Sequence, residues 1–238
     1  MVEENYTVQE NGFQGIFIKE SQESDKAMIV IGGSEGGIKA AYGVAKVFAE
    51  EGIHSLAVAY WGTELTAESL ELIPIEIIQT ALDCLKKKGY GKVGIYGVSK
   101  GAELALTVAS LIPELDFVIA VSPAAYVFEG IRKKAYSKTA SWTWQGKPLI
   151  YLNFEGIKAN MVKKFFKNKE MGFRNEYLKA LELNKSEENV IKVENIKGPV
   201  LLLSAKGDSQ WPAEIMGDMV MRRLQEKSIL KYCRKERT

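Results

Sequence analysis

Lys92-Val93-Gly94-Ile95-Tyr96-Gly97-Val98-Ser99-Lys100-Gly101 is the stretch whose reading decides the fold. A short apolar run, the mark of a buried strand, gives way to Gly97-x-Ser99-x-Gly101 and then to a helical pattern. Glycines on either side of the serine let strand and helix meet in a sharp turn, which lifts a serine hydroxyl clear of the sheet edge. The helix that follows, Ala102–Ile112, is apolar nearly all round, so the sequence predicts it at the centre of the molecule. Ser99 is the candidate nucleophile. The N–H of Lys100, where that helix opens, is a candidate donor to an oxyanion.

Outward from this turn, short apolar runs alternate with helical patterns, as in a mostly parallel sheet covered on both faces. The expected strands are Ala27–Ile31, Ser55–Ala59, Val93–Tyr96, Phe117–Val121 and Val200–Ser204, preceded by a weaker hairpin around Tyr6–Val8 and Gly15–Lys19 and followed by Ile229–Tyr232. The expected helices include Ile38–Glu50, which ends at Gly52, and Ile75–Lys88, which starts behind Pro74 and ends at Gly89. From Ala124 to about Lys197 the rhythm lapses into aromatic clusters and amphipathic pieces such as Met161–Phe166 and Tyr177–Leu181. The sequence therefore predicts one α/β domain over residues 1–238 with a helical cap inserted at about 124–197.

Composition narrows the function classes. A chain of 238 residues with 46% hydrophobic and 26% charged residues is globular, and a net charge of +2 gives no reason to expect nucleic acid. No stretch approaches eighteen apolar residues, so no membrane span is expected, and with no secretory leader pattern the expected location is the cytoplasm. Cys84 and Cys233 form no CxxC pair and lie near no histidine, so neither a disulfide framework nor a metal site is expected. Charge is distributed unevenly. Tyr126–Lys197 carries fifteen Lys and Arg against eight Asp and Glu, which puts the positive charge on the cap.

A serine nucleophile needs a base, an acid that orients the base, and N–H donors for the oxyanion. The second donor is expected from Gly32-Gly33-Ser34-Glu35-Gly36-Gly37, after the first parallel strand, through the N–H of Ser34 or Glu35. That loop lacks the GxGxxG spacing and the P-loop Lys-Ser/Thr of phosphate-binding turns. Asp208, in Ser204-Ala205-Lys206-Gly207-Asp208-Ser209-Gln210-Trp211-Pro212, stands at the station of the acid, Ser209 and Gln210 being the alternatives for capping the next helix. The base should follow the last strand, but Cys233-Arg234-Lys235-Glu236-Arg237-Thr238 contains no histidine. The single histidine, His54, opens a strand parallel to the one carrying Ser99, roughly 20 Å away at ~3.3 Å per residue, and is expected to be a half-buried structural residue.

These stretches resemble the acyl-CoA thioester hydrolase and bile acid-CoA:amino acid N-acyltransferase family. The likeness runs through Ile31–Gly37, Ala57-Val58-Ala59-Tyr60-Trp61-Gly62, Gly97-Val98-Ser99-Lys100-Gly101-Ala102-Glu103-Leu104 and Gly207-Asp208-Ser209-Gln210-Trp211. The resemblance implies an α/β-hydrolase fold, acyl-CoA thioester substrates, an acyl-serine intermediate and no metal or redox cofactor. Gly33 and Trp211 are then expected at the substrate. A serine at the elbow resembles the thioesterase branch, since the amidating branch carries cysteine. The N-terminal β-sandwich of eukaryotic members has no counterpart here, and the family's histidine and final helix are expected beyond the last strand. On this reading the chain is a thioesterase-like serine hydrolase impaired by the lack of a base, and its basic cap draws in the phosphates of coenzyme A. A small-ester carboxylesterase or dienelactone-hydrolase-like enzyme, and a degenerate hydrolase without catalysis, are the alternatives.

Overall fold

The computed structural model describes residues 1–21, 23–132, 135–157, 172–227 and 233–237. Its core is an eight-stranded sheet built from β1 (Val2–Tyr6), β2 (Gln14–Lys19), β3 (Lys26–Ile31), β4 (His54–Ala59), β6 (Lys92–Val98), β7 (Phe117–Val121), β12 (Val200–Ser204) and β13 (Cys233–Arg237). The spatial order is β1-β2-β4-β3-β6-β7-β12-β13. The first two pairings are antiparallel and the rest parallel, so every strand but β2 delivers its carboxyl end to one edge. The N-terminal hairpin differs from expectation. Its first strand is Val2–Tyr6, not Tyr6–Val8, because Thr7 caps a one-turn helix, α1 (Val8–Asn11), with its hydroxyl accepting from the Glu10 N–H at 3.3 Å. The strand expected at Ile229–Tyr232 lies outside the described residues. The observed one begins at Cys233 and runs alongside Val200–Ser204.

Period-2 alternation splits the strands between two layers. On β3, Ala27, Ile29 and Ile31 face the larger core, which is closed by α3 (Glu76–Lys87), α4 (Lys100–Leu111) and α6 (Ala213–Lys227). Met28 and Val30 face the other layer, where α2 (Lys39–Glu50) lays the stripe Ala41, Ala45 and Ala49 against them. Alanines at i, i+4 and i+8 allow close approach of helix to sheet. Of the described helices, α2 alone contributes buried side chains to this layer. Tyr96 packs on Phe48 of α2, and beyond it Phe117, Ile119, Leu201 and Leu203 stay half-buried. Gly94 is required here, because a Cβ would stand 2.2 Å from the Phe117 ring that crosses it.

Between β7 and β12, strand pieces accompany the expected helix. β8 (Glu129–Arg132) pairs with β9 (Ala135–Ala140), and β10 (Trp142–Trp144) pairs with β11 (Lys147–Pro148) and with β5 (Ile73–Pro74), the residues just before α3. The insertion is thereby stitched to the main domain. The helix α5 (Arg174–Asn184) contains the expected Tyr177–Leu181, whereas Met161–Phe166 lies outside the described residues. No helix among the described residues is long and apolar enough to cross a membrane.

Candidate active site

Every candidate on the sheet sits at the carboxyl edge, where parallel α/β folds place their ligands. Ser99 follows β6 directly with φ 55 and ψ −118, a left-handed-side conformation that a side chain adopts only under constraint. The constraint is visible. The Ser99 N–H donates to the Val121 carbonyl at 2.8 Å, and its own carbonyl accepts from Ala102 and Glu103 at 2.9 and 3.1 Å. The flanking glycines allow this packing: a Cβ on Gly97 would lie 2.1 Å from the Gly101 carbonyl oxygen, and one on Gly101 2.1 Å from the Gly32 carbonyl oxygen.

The Gly101 contact brings in the loop after β3. A Cβ on Gly33 would stand 3.3 Å from Ser99 Cβ, so this backbone runs directly beside the nucleophile position. Glu35 folds back on the loop and accepts the Gly33 N–H at 2.8 Å. Among the described residues the N–H groups of Ser34 and Lys100 have no acceptor. Tyr60 and Trp61, just past β4, hold the loop from the other flank. The Tyr60 hydroxyl donates to the Gly32 and Gly33 carbonyls at 3.1 and 2.8 Å, and Trp61 Nε1 donates to the Gly33 carbonyl at 3.4 Å. A shallow open groove lined by Glu35, Gly36, Lys39, Ala40, Gly43 and Val44 adjoins the loop.

Asp208 lies past β12, two strands from the nucleophile. Its Oδ1 accepts the Gln210 N–H at 2.8 Å and its Oδ2 faces the Ser122 hydroxyl at 3.4 Å. Ser122 ends β7 with φ 50 and donates its N–H to the Leu203 carbonyl at 2.7 Å, tying the two strand ends together. Arg174 on α5 braces the Asp208 loop, donating to the Asp208 carbonyl at 3.2 Å and to the Glu214 carboxylate at 2.9 Å. Hydrogen bonding to that guanidinium holds the Glu214 carboxyl below its ordinary range.

The remaining expectations fall elsewhere. His54 is not half-buried but interior at 2% exposure, with Nδ1 2.6 Å from the Tyr90 hydroxyl. It pairs with Ala27, which pairs with Val93, so it stands six residues of strand below Ser99, about 20 Å at ~3.3 Å per residue. Trp211 is 4% exposed and joins Phe128, Phe154 and Tyr177 in a ring cluster, 5.5 Å from Tyr177 between centroids. The role visible for Trp211 is to anchor the acid loop to the insertion. Cys84 is half-buried against the core, and among the described residues no group of His, Cys, Asp or Glu is arranged to hold a metal ion.

The sequence reading missed a buried ion pair beneath the elbow. Lys100 and Glu103, 3% and 0% exposed, meet with Nζ 2.8 and 2.7 Å from the two carboxylate oxygens. Glu103 also accepts the Phe128 N–H at 3.1 Å and Trp142 Nε1 at 2.8 Å. Burial pushes the lysine down and the glutamate up, and each partner's charge opposes that shift. The available signal was two opposite charges three residues apart at the start of a helix read as apolar nearly all round.

An esterase from Pyrococcus furiosus superposes with a TM-score of 0.64 at 20% identity, covering 100% of this chain and 80% of that one. The α/β hydrolase GrgF from Penicillium sp. sh18 follows at a TM-score of 0.56 and 15% identity, covering 99% and 88%. These likenesses show the α/β-hydrolase fold. By sequence, the mitochondrial acyl-coenzyme A thioesterase 2 of Homo sapiens is 24% identical over 187 residues, which are 76% of this chain but 35% of that protein, so the chain spans about a third of this relative's length. The family described as "BAAT / Acyl-CoA thioester hydrolase C terminal" matches residues 73–232, more than half of the chain and inclusive of Ser99 and Asp208. The chain belongs to the BAAT and acyl-CoA thioester hydrolase C-terminal family, on an α/β-hydrolase fold.

Proposed function

We propose that this chain is an acyl-CoA thioesterase-like serine hydrolase. Ser99 attacks the thioester carbonyl, the Oγ–C bond forms as the C–S bond breaks, and the acyl-serine is then hydrolysed. Lys100 and the Ser34–Glu35 segment supply the oxyanion donors, Asp208 is the acid, and Gly33 leaves room for the acyl group. The observation that carries this reading is Ser99 itself, held at φ 55 against the loop after β3. Water attack on an acyl-serine needs no metal or redox group. The thioester class is supported by the family match and by relatives described as acyl-coenzyme A thioesterases.

The base is the weak link within these residues. His54 is the one histidine in the sequence, and its bond to Tyr90 holds it at the far end of β4. Turnover by residues 1–238 is therefore expected on the order of 10⁴ to 10⁶ below that of a complete triad, with the remainder supplied by binding and the oxyanion donors. The test compares an acyl-CoA with the p-nitrophenyl ester of the same acyl chain, in this chain and in Ser99→Ala. Higher kcat/KM for the acyl-CoA, lost in Ser99→Ala, is the expected result. A preference for the ester would favour a carboxylesterase, and a rate indifferent to Ser99 would remove the serine mechanism.

A further inference from the structure

We infer that Tyr60 is a positioning residue for the oxyanion hole: its hydroxyl, bonded to the Gly32 and Gly33 carbonyls, aims the Ser34 N–H toward the nucleophile. The inference rests on the reading of Ser99 and Ser34 above and assigns to a residue outside the triad the task of setting the donor's direction. In a trans peptide the carbonyl and the following N–H point to opposite sides. The carbonyl of Gly33 is held by Tyr60 at 2.8 Å and by Trp61 Nε1 at 3.4 Å, so the Ser34 N–H is turned away from both. The loop's contact with the elbow supplies the direction. Tyr60 is 3% exposed and its hydroxyl reaches the loop from the buried side, where the Gly32 carbonyl also lies against Gly101. An N–H turned away from that buried hydroxyl faces the open side of the loop, which passes Ser99 so closely that a Cβ on Gly33 would stand 3.3 Å from Ser99 Cβ.

Applied one peptide earlier, the same rule gives an internal check. The Gly32 carbonyl accepts from Tyr60 at 3.1 Å, and the Gly33 N–H, turned the other way, is taken by the Glu35 carboxylate at 2.8 Å. The Ser34 N–H is left for a ligand. Tyr60 suits the task because its ring is locked, 3% exposed and edge-on to Trp142 at 5.7 Å. Burial, with the Glu35 and Glu103 charges, also raises the phenol well above its ordinary range, so the hydroxyl remains a donor wherever the protein is folded.

The test is covalent labelling of Ser99 by a p-nitrophenyl alkylphosphonate, followed by intact mass over hours. The Ser99 Oγ–P bond forms, the P–O bond to the aryl group breaks, p-nitrophenolate leaves and the serine proton passes to water. The phosphoryl oxygen then occupies the oxyanion position. In Tyr60→Phe, which keeps the ring, the limiting labelling rate is expected to fall about 10- to 100-fold with the half-saturating concentration unchanged, less than the full loss of a donor. An unchanged rate, or a fall accompanied by a raised half-saturating concentration, overturns the assignment while leaving Ser99 as nucleophile. Wild-type chain that takes no label at Ser99 overturns the nucleophile reading, and this inference with it. If Tyr60→Phe loses its near-ultraviolet circular dichroism, Trp61→Phe replaces it. A fall of about threefold is expected there from the weaker bond, and an unchanged rate would count against the inference.

Discussion

Lys100 and Glu103 join two demands on one helical turn: the N–H of Lys100, the proposed oxyanion donor, opens the helix directly after Ser99, and its side chain is buried against a carboxylate. Removing one charge of such a pair leaves the other stranded in a medium that solvates it poorly, which costs about 3–5 kcal/mol. Glu103→Gln keeps acceptors for the Phe128 N–H and Trp142 Nε1 but strands the Lys100 ammonium. Urea denaturation should therefore show Glu103→Gln destabilised by about that amount, and Lys100→Met combined with Glu103→Gln destabilised less than Glu103→Gln alone. Additive losses would show that the pair is not coupled. The sharp turn at Ser99 and the loop holding Asp208 were legible in the sequence because turn chemistry and chain order mark them locally. Tyr60, Ser122 and Glu103 were not, since each bonds a residue 25 or more positions away that only the fold brings near.

At the scale of elements, the Asp208 loop depends on α5 and α6. Arg174 bridges the Asp208 carbonyl and the Glu214 carboxylate, so the insertion's helix holds the loop after β12. Glu214 is lowered from 4.5, first by hydrogen bonding to Arg174. A carboxyl lowered on folding stabilises the fold above its unfolded value, and that stability is lost as pH falls through the lower folded value. Glu214→Gln should be less stable than wild type at pH 7 in urea titrations, with the gap closing as pH drops below about 4.5. A gap independent of pH would assign the loss to packing. The parallel strands and the helices α2 to α4 were readable from continuous apolar runs and Pro/Gly punctuation. The small strands β8 to β11 were not, because their partners are each other and Ile73–Pro74, and no alternation longer than a few residues announces them.

For the molecule as a whole, the two faces of the sheet are unequally covered by the described residues. One layer is closed by α3, α4 and α6, whereas in the other Phe117, Ile119, Leu201 and Leu203 stay half-buried beyond α2. An apolar strip of this kind favours association. Residues 1–238 should sediment as a mixture whose mean mass rises with protein concentration, and a single monomeric boundary across the range would show the strip to be covered. Ser99, the loop after β3 and the Asp208 loop all lie at the carboxyl edge of the sheet, and on the proposed reading they supply the nucleophile, the oxyanion donors and the acid. The direct measurement is the mass of this chain, followed by peptide mapping, during incubation with an acyl-CoA while released thiol is titrated. One acyl group should accumulate slowly on Ser99 with one equivalent of thiol released, and Ser99→Ala should carry none. A rapid stoichiometric burst, or an acyl group on a residue other than Ser99, would contradict the account.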